Sequence, residues 1–257
     1  MSVAPKLSKE VKISMVLMSV VLGFSLAFLF PKHEEFVATG DVVSVEELGI
    51  RGSVFFTYVN SGVTTNLFEK LAFQNSYPDV EFTPISPLEY AYYNEQLEEM
   101  ESYKEDAIFN AVSLSVPEES SESNILYSRV SEILEHSSLY SGDSFGLMVA
   151  IGLFEEWNGR DYSRNQSLLI AGTGTINSDY TVGEVGAIRH KLLTAEQNQV
   201  DIFFVPKHRE YYGETKSNQL EAFEVVEKED LSLNVIPVAT LDEAIDYLEN
   251  LYRKKGG

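Results

Sequence analysis

The pattern of hydrophobic and polar positions separates an apolar start from a mixed remainder. The residues from Ile13 to Phe30 form an uncharged and largely apolar run. At about 1.5 Å per residue in a helix, such a run is just long enough to cross the roughly 30 Å core of a bilayer. The sequence therefore predicts a transmembrane helix over residues 13–30, preceded by a cytoplasmic N-terminus over residues 1–12.

The charges that flank this run predict its orientation. Three lysines lie before it, between residues 6 and 12. Because positively charged flanks stay in the cytoplasm, we expect a single-pass protein of the cell membrane whose residues after Pro31 lie outside the cell. A cleaved signal peptide is the alternative, but its apolar region would be shorter. Its best cleavage site, Ser25-Leu26-Ala27, lies inside the run.

The remainder of the chain alternates between strand-like and helix-like patterns. Ser86 and Glu89 form a capping box at the start of one helix, and Thr240 and Glu243 form another at the start of the last helix. Alternating elements of this length favour an α/β (α+β) domain. In chain order the sequence predicts a strand at 52–59, helices at 64–75, 86–112 and 145–157, strands at 167–176 and 181–186, a helix at 187–199, strands at 201–206 and 233–238, and a final helix from 241.

A polar stretch divides this predicted domain into two parts. Residues 113–141 are rich in serine and glutamate, a composition typical of a linker or a loop-rich insertion. The N-terminal part of the domain would then cover residues 40–112. The C-terminal part would cover residues 142–254.

Composition excludes several classes of function. The formal net charge of −21 opposes binding to the phosphate backbone, so we expect no nucleic-acid partner. The chain has no cysteine, which excludes thiol catalysis, and its histidines lack zinc-binding spacing. We therefore expect no metal and no cofactor. The sequence also lacks a phosphate-binding G-x-x-x-x-G-K-[ST] loop and so has no ATPase module of its own.

One serine has the surroundings of a nucleophile. Ser144 lies in Gly142-Asp-Ser-Phe-Gly146, directly before a predicted apolar helix. Neighbouring glycines let a substrate backbone approach, and the N–H groups at a helix start can hold an oxyanion. A hydroxyl still needs a base. Asp201 and His208 follow in the order that an α/β-hydrolase esterase requires, but residues 136–141 are a poor strand for a nucleophile elbow.

A second motif supplies a lysine as the base. The chain reads Ile170-Ala-Gly-Thr-Gly-Thr-Ile176, then Val182-Gly-Glu-Val-Gly-Ala-Ile188, and then Lys191. Together with the G-x-S-x-G serine, this resembles the proteolytic domain of Lon, and most of all the membrane-anchored Lon-like peptidases that carry a PDZ domain. No PDZ domain is visible here, and residues 113–141 take its place. The resemblance implies a Lon-type fold, Ser144 as the nucleophile and Lys191 as its general base.

This mechanism sets a physical requirement on the lysine. An ammonium group with an ordinary pKa of about 10.4 cannot accept a proton at neutral pH, so burial must lower the pKa of Lys191. Apolar neighbours such as Leu192 and Leu193 could provide that environment. Thr173 and Thr175, on the preceding strand, are candidates for orienting the amine.

Four residues depart from the family's pattern: Asp143, Phe145, Tyr180 and Ala187. Phe145 stands where a small residue is usual, and its ring could crowd the oxyanion pocket. A catalytically silent relative that binds peptides or scaffolds partners is therefore the alternative function. The leading expectation is an ATP-independent serine endopeptidase that cleaves extracellular peptides or exposed segments of membrane proteins. The sequence leaves homo-oligomerisation open.

Overall fold

The structure is a computed structural model, and it describes residues 8–115, 123–208 and 217–254. The chain is mixed α/β. Its helices are α1 (Lys9–Phe28), α2 (Leu67–Ser76), α3 (Pro87–Ser115), α4 (Ser123–His136), α5 (Gly146–Asn158), α6 (Ile188–Gln197), α7 (Asn218–Glu229) and α8 (Leu241–Lys254). Its strands are β1 (Pro31–Ser44), β2 (Phe55–Asn66), β3 (Glu81–Pro84), β4 (Ile170–Gly172), β5 (Thr175–Ile176), β6 (Val182–Gly183), β7 (Ile202–Pro206) and β8 (Asn234–Val238).

The chain divides into two compact units. The first contains residues 1–37 and 61–91, and the second contains residues 38–60 and 92–257. Both predicted catalytic residues, Ser144 and Lys191, belong to the second unit.

In the second unit a sheet with the strand order β1-β2-β4-β7-β8 separates two hydrophobic clusters. Strand β2 pairs parallel with β4, β4 with β7, and β7 with β8. Side chains alternate between the faces of a strand. Ile202 and Phe204 therefore join the cluster that includes α5 and α8, whereas Phe203 and Val205 join the one that includes α6 and α7. A nucleophile in the turn before α5 and a base on α6 thus start from opposite faces of one sheet.

The first unit has its own packing and its own buried charge. Strands β1 and β3 pair antiparallel, and the Phe36 ring stacks on Phe73 with the ring centroids 4.1 Å apart. The buried Glu34 carboxylate lies 2.8 Å from Lys70 Nζ and 3.0 Å from Lys32 Nζ. These two cations offset the cost of burying the carboxylate.

Helix α1 covers most of the apolar run of the sequence, from Lys9 to Phe28. Its large apolar side chains are exposed in this structure. In the described part of the chain, no helix is both long and apolar enough to cross a membrane.

Several predicted elements are confirmed within a few residues. The capping box at the start of α3 is present: Ser86 Oγ accepts the Glu89 N–H at 3.2 Å, and Glu89 accepts the Ser86 N–H at 2.6 Å. Helix α8 begins as expected, with Thr240 Oγ1 accepting the Glu243 N–H. Side-chain capping therefore explains why α3 and α8 begin where the sequence predicts.

Other element predictions were wrong. The described part of residues 113–141 contains helix α4, which buries Val130 and Ile133 where a loop-rich stretch was expected. Residues 116–122 of that stretch lie outside the described residues. The predicted strand 167–176 is broken into β4 and β5. Strand β1 was not predicted, because residues 31–44 mix charged and apolar positions.

Candidate active site

The nucleophile turn connects a short helical turn to α5. Gly142 has a φ of 81°, a left-handed conformation that glycine adopts without strain. The Gly146 N–H then donates to the Asp143 carbonyl at 3.0 Å and closes the first turn of the helix. Ser144 lies between them and is partly exposed, so its hydroxyl can meet a substrate.

The segment that follows β4 holds this turn in place. The Ser144 carbonyl accepts the Gly174 N–H at 2.7 Å, and the Leu147 N–H donates to the Gly174 carbonyl at 2.9 Å. Gly174 has a φ of 152°, and a Cβ at this position would come within 2.7 Å of Val182 Cγ1. A side chain at position 174 would therefore collide with Val182 of β6, so glycine is needed where this segment passes between β6 and the start of α5.

Lys191 enters the site from α6 on the other side of the sheet. Its side chain is only 4% exposed, and Nζ donates to Thr173 Oγ1 at 3.0 Å. Burial lowers the pKa of Lys191 from its ordinary value of 10.5 to about 7, and the Asp143 carboxylate offsets part of that shift. A lysine with a pKa near neutrality is partly unprotonated at the pH of most cells and can accept a proton.

Thr173 connects the lysine to the serine. Its hydroxyl accepts the Lys191 N–H and donates to the Ser144 carbonyl at 3.0 Å. Within the described residues, Lys191 Nζ and Ser144 Oγ share no direct hydrogen bond. Catalytic hydrogen bonds are often long before substrate binds, so a bridged arrangement is compatible with a Ser-Lys dyad.

The two candidate threonines have different positions. Thr173 is the one that contacts Lys191. Thr175 is in β5 and lines the cleft beside the nucleophile turn. Of the two residues proposed to orient the amine, only Thr173 bonds to it.

Two backbone donors remain for an oxyanion. Over the described ranges, the N–H groups of Ser144 and Phe145 donate to no other protein group. The next two donors along the chain, Gly146 and Leu147, are already occupied by carbonyls. A carbonyl oxygen bound beside Ser144 could therefore take its hydrogen bonds from the first two groups.

Phe145 does not occupy the substrate pocket. Its side chain is only 2% exposed and packs in the core, with its ring centroid 5.4 Å from that of Phe56. The sequence allowed the Phe145 ring to crowd the oxyanion pocket, and the structure places the ring in the core instead. The residue caps the start of α5, and this geometry directs its side chain into the core below the turn.

This packing makes Phe145 a residue that stabilises the fold. Phe145→Ala should lower the free energy of unfolding by about 3–5 kcal/mol, because it leaves a cavity against Phe56. Denaturant unfolding followed by circular dichroism measures this loss. The matched control is Phe223→Ala, an aromatic truncation on the surface, where the change should stay within about 0.5 kcal/mol. Equal losses in the two variants would contradict a core position for Phe145.

Two of the departures from the family's pattern lie at turns with positive φ. Tyr180 has a φ of 62° and Ala187 a φ of 59°. Both are positions where the family commonly has glycine, which adopts this conformation without strain. Tyr180 and Ala187 thus adopt a backbone conformation that is uncommon for residues other than glycine.

A cleft of about 280 Å³ opens beside the nucleophile turn. Asp143 and Thr175 line one side, and Tyr103 and Asn110 of α3 line the other. Asn110 Nδ2 also donates to the Ile176 carbonyl at 2.9 Å, which fixes α3 against β5. A larger cleft of about 510 Å³ near Arg160 contains neither catalytic candidate.

The alternative acid and histidine do not form a catalytic pair. Asp201 precedes β7, and its carboxylate accepts the Leu169 N–H at 2.8 Å. His208 follows the other end of β7, so at about 3.3 Å per residue the two lie more than 15 Å apart. A short helical turn over Ser137–Leu139, rather than a strand, leads toward Ser144. Asp201 cannot orient His208, and no nucleophile elbow forms.

Sequence reasoning missed one polar side chain beside this site. Thr57 lies in β2 next to Phe56, and its hydroxyl is buried. No sequence signal indicates it, because its place beside the site depends on the pairing of β2 with β4, which leads directly into Thr173.

Comparisons with known proteins assign this chain to no family. No protein-family model matches the chain, and no curated protein sequence matches it. The resemblance to Lon-like peptidases therefore rests on the motifs quoted above.

Proposed function

We propose that this protein is an ATP-independent serine peptidase in which Ser144 is the nucleophile and Lys191 its general base. The observation that carries the proposal is the buried amine of Lys191, joined through Thr173 to the turn that presents Ser144. Burying a lysine is costly, and function is a common reason for the cost. The spacing of the Lon-like motifs supports the same assignment.

The proposed reaction proceeds in two steps. The neutral amine of Lys191 takes the Ser144 proton while Oγ forms a bond to the carbonyl carbon of the substrate. The N–H groups of Ser144 and Phe145 stabilise the oxyanion, the C–N bond breaks, and the leaving amine takes the proton from Lys191. Water then attacks the acyl-enzyme ester while Lys191 takes a proton from it, the bond between the acyl carbon and Ser144 Oγ breaks, and Oγ takes the proton back from Lys191.

The proposed substrates are peptides or unfolded segments. The cleft beside Ser144 is open, and the sequence contains no ATPase motif that could unfold a protein. Extracellular peptides and exposed loops of membrane proteins meet this requirement.

The test is cleavage of a diverse peptide library by the full-length chain in detergent, read by mass spectrometry. We expect defined cleavage products from the wild type and none from Ser144→Ala, which keeps the fold and loses the nucleophile. Products that persist in Ser144→Ala would come from another site or from contamination and would contradict the proposal.

The competing function is a catalytically silent peptide-binding protein. The observation that favours it is the absence, in the described part of the chain, of a direct hydrogen bond between Ser144 Oγ and Lys191 Nζ. Binding of library peptides without cleavage, with equal affinity in wild type and Ser144→Ala, would establish this function instead.

We also propose that the chain is attached to the cell membrane through its N-terminal apolar run, with residues after Pro31 outside. The support is the run from Ile13 to Phe30 and the lysines before it. Among the residues that the structure describes, no helix is long and apolar enough to span a membrane. Protease shaving of intact cells should remove the rest of the chain. Protection until the cells are lysed would contradict this orientation.

A further inference from the structure

A buried hydroxyl lies next to the proposed site without a partner. Thr57 is 1% exposed, and its Oγ1 makes no hydrogen bond in the described part of the chain. Leaving a buried hydroxyl unpaired costs free energy, so such a group needs an explanation. The proposed mechanism above does not use it.

The sheet register places this hydroxyl beside the lysine site. Strand β2 pairs parallel with β4, Phe55 with Ala171 and Phe56 with Gly172. The next residues along the chain are Thr57, still in β2, and Thr173, which directly follows β4. Phe56 packs toward α5, whereas Phe55 packs against the cluster that contains α6. Because side chains alternate, Thr57 projects toward the α6 side. On that side Lys191 reaches Thr173.

We propose that Thr57 is a positioning residue for Lys191, and that its hydroxyl accepts a second N–H of the lysine when Nζ carries the proton of Ser144. This inference rests on the proposed function and deepens it. A protonated amine has three donors. Thr173 accepts one of them, and Thr57 Oγ1 is a buried acceptor that no other group among the described residues uses.

The charged groups around Lys191 are compatible with Thr57 as a second hydrogen-bond acceptor. Asp143, on the turn before α5, is the carboxylate that acts on Lys191. The neighbouring strands contribute the hydroxyls of Thr57 and Thr173. On α6 itself the titratable neighbour is His190, which is buried one position before the lysine. A neutral acceptor such as the Thr57 hydroxyl stabilises the ammonium form of Lys191 that arises during the reaction. A second carboxylate would bind the lysine more strongly before the reaction as well.

The test is Thr57→Val, which removes the threonine hydroxyl and keeps a side chain of nearly the same shape. In Thr57→Val the protonated amine loses an acceptor, so the pKa of Lys191 should fall by about one unit. The acid limb of the pH profile should move to lower pH, and kcat should fall about tenfold. Thr57→Ser should restore both values. The melting temperature of Thr57→Val should not fall, because an unpaired hydroxyl is removed from the core.

The pKa is read without relying on cleavage, by NMR titration of the lysine 13Cε signals, with Lys191 assigned from its absence in Lys191→Met. The matched control is Ser113→Ala, which removes another buried hydroxyl without a partner, on α3. It should leave the titration of Lys191 unchanged. A pKa equal in wild type and Thr57→Val would overturn the inference. A shifted pKa in a chain that cleaves nothing would support it and refute the peptidase proposal.

Discussion

Lys191→Met should abolish peptide cleavage and leave the protein folded. A neutral side chain of similar length fills the same buried space, so the core around α6 keeps its packing. The base is lost, and kcat should fall by at least about a thousandfold. In the wild type, cleavage should rise with pH through about 7, because burial lowers the pKa of Lys191 to about 7 and only the neutral amine accepts the serine proton.

The choice of methionine follows from the burial of the lysine. Lys191→Arg keeps the charge, but a guanidinium is larger and stays protonated at only 4% exposure, so loss of activity could come from misfolding. The matched control is Lys228→Met, which makes the same change in the last turn of α7. It should cleave at the wild-type rate. Activity within tenfold of wild type in Lys191→Met would contradict the role of the lysine.

The second large effect is on the pH dependence of stability. The unfolded lysine titrates near 10.5 and the folded one near 7. Between these values the unfolded chain binds a proton that the folded chain does not. The free energy of unfolding therefore gains a contribution that rises with pH, by up to about 1.4 kcal/mol per pH unit, and is constant below 7 and above 10.5.

The measurement is denaturant unfolding of the wild type and of Lys191→Met between pH 6 and pH 10. Other groups also titrate, so the difference between the two proteins isolates the lysine. We expect the advantage of the methionine variant to be largest at low pH and to shrink as pH rises through the window from about 7 upward. A difference that does not change with pH would show that the folded lysine keeps its ordinary pKa.

The sequence predicted which residues come together better than it predicted the backbone around them. The motif glycines and threonines identified Ser144 and Lys191, and the structure brings both to Thr173. Spacing alone could not distinguish Thr173 from Thr175. The two differ because the predicted strand is interrupted at Thr173 and Gly174, between β4 and β5.

The wrong predictions share a physical cause. Residues near 130 looked like a linker because serine and glutamate are frequent there, yet Val130 and Ile133 give α4 a buried face. Phe145 looked like a pocket residue because it follows the nucleophile, yet the helix start turns its ring into the core. Composition and adjacency do not fix where a side chain points, because tertiary packing decides it.

The role of Thr57 could not be predicted from the sequence either. Its importance comes from pairing with a strand more than a hundred residues later in the chain, and such a register is a property of the folded sheet. Non-local pairing of this kind is set by the whole domain.

The most direct test of the Ser-Lys dyad is covalent labelling of Ser144 by a peptide-linked fluorophosphonate. The serine oxygen bonds to phosphorus and fluoride leaves, so tandem mass spectrometry locates the modified residue without a known substrate. We predict a label on Ser144, at a rate that rises with pH through about 7 and is lost in Lys191→Met. A label on another residue, or an equal labelling rate in Lys191→Met, would contradict the account.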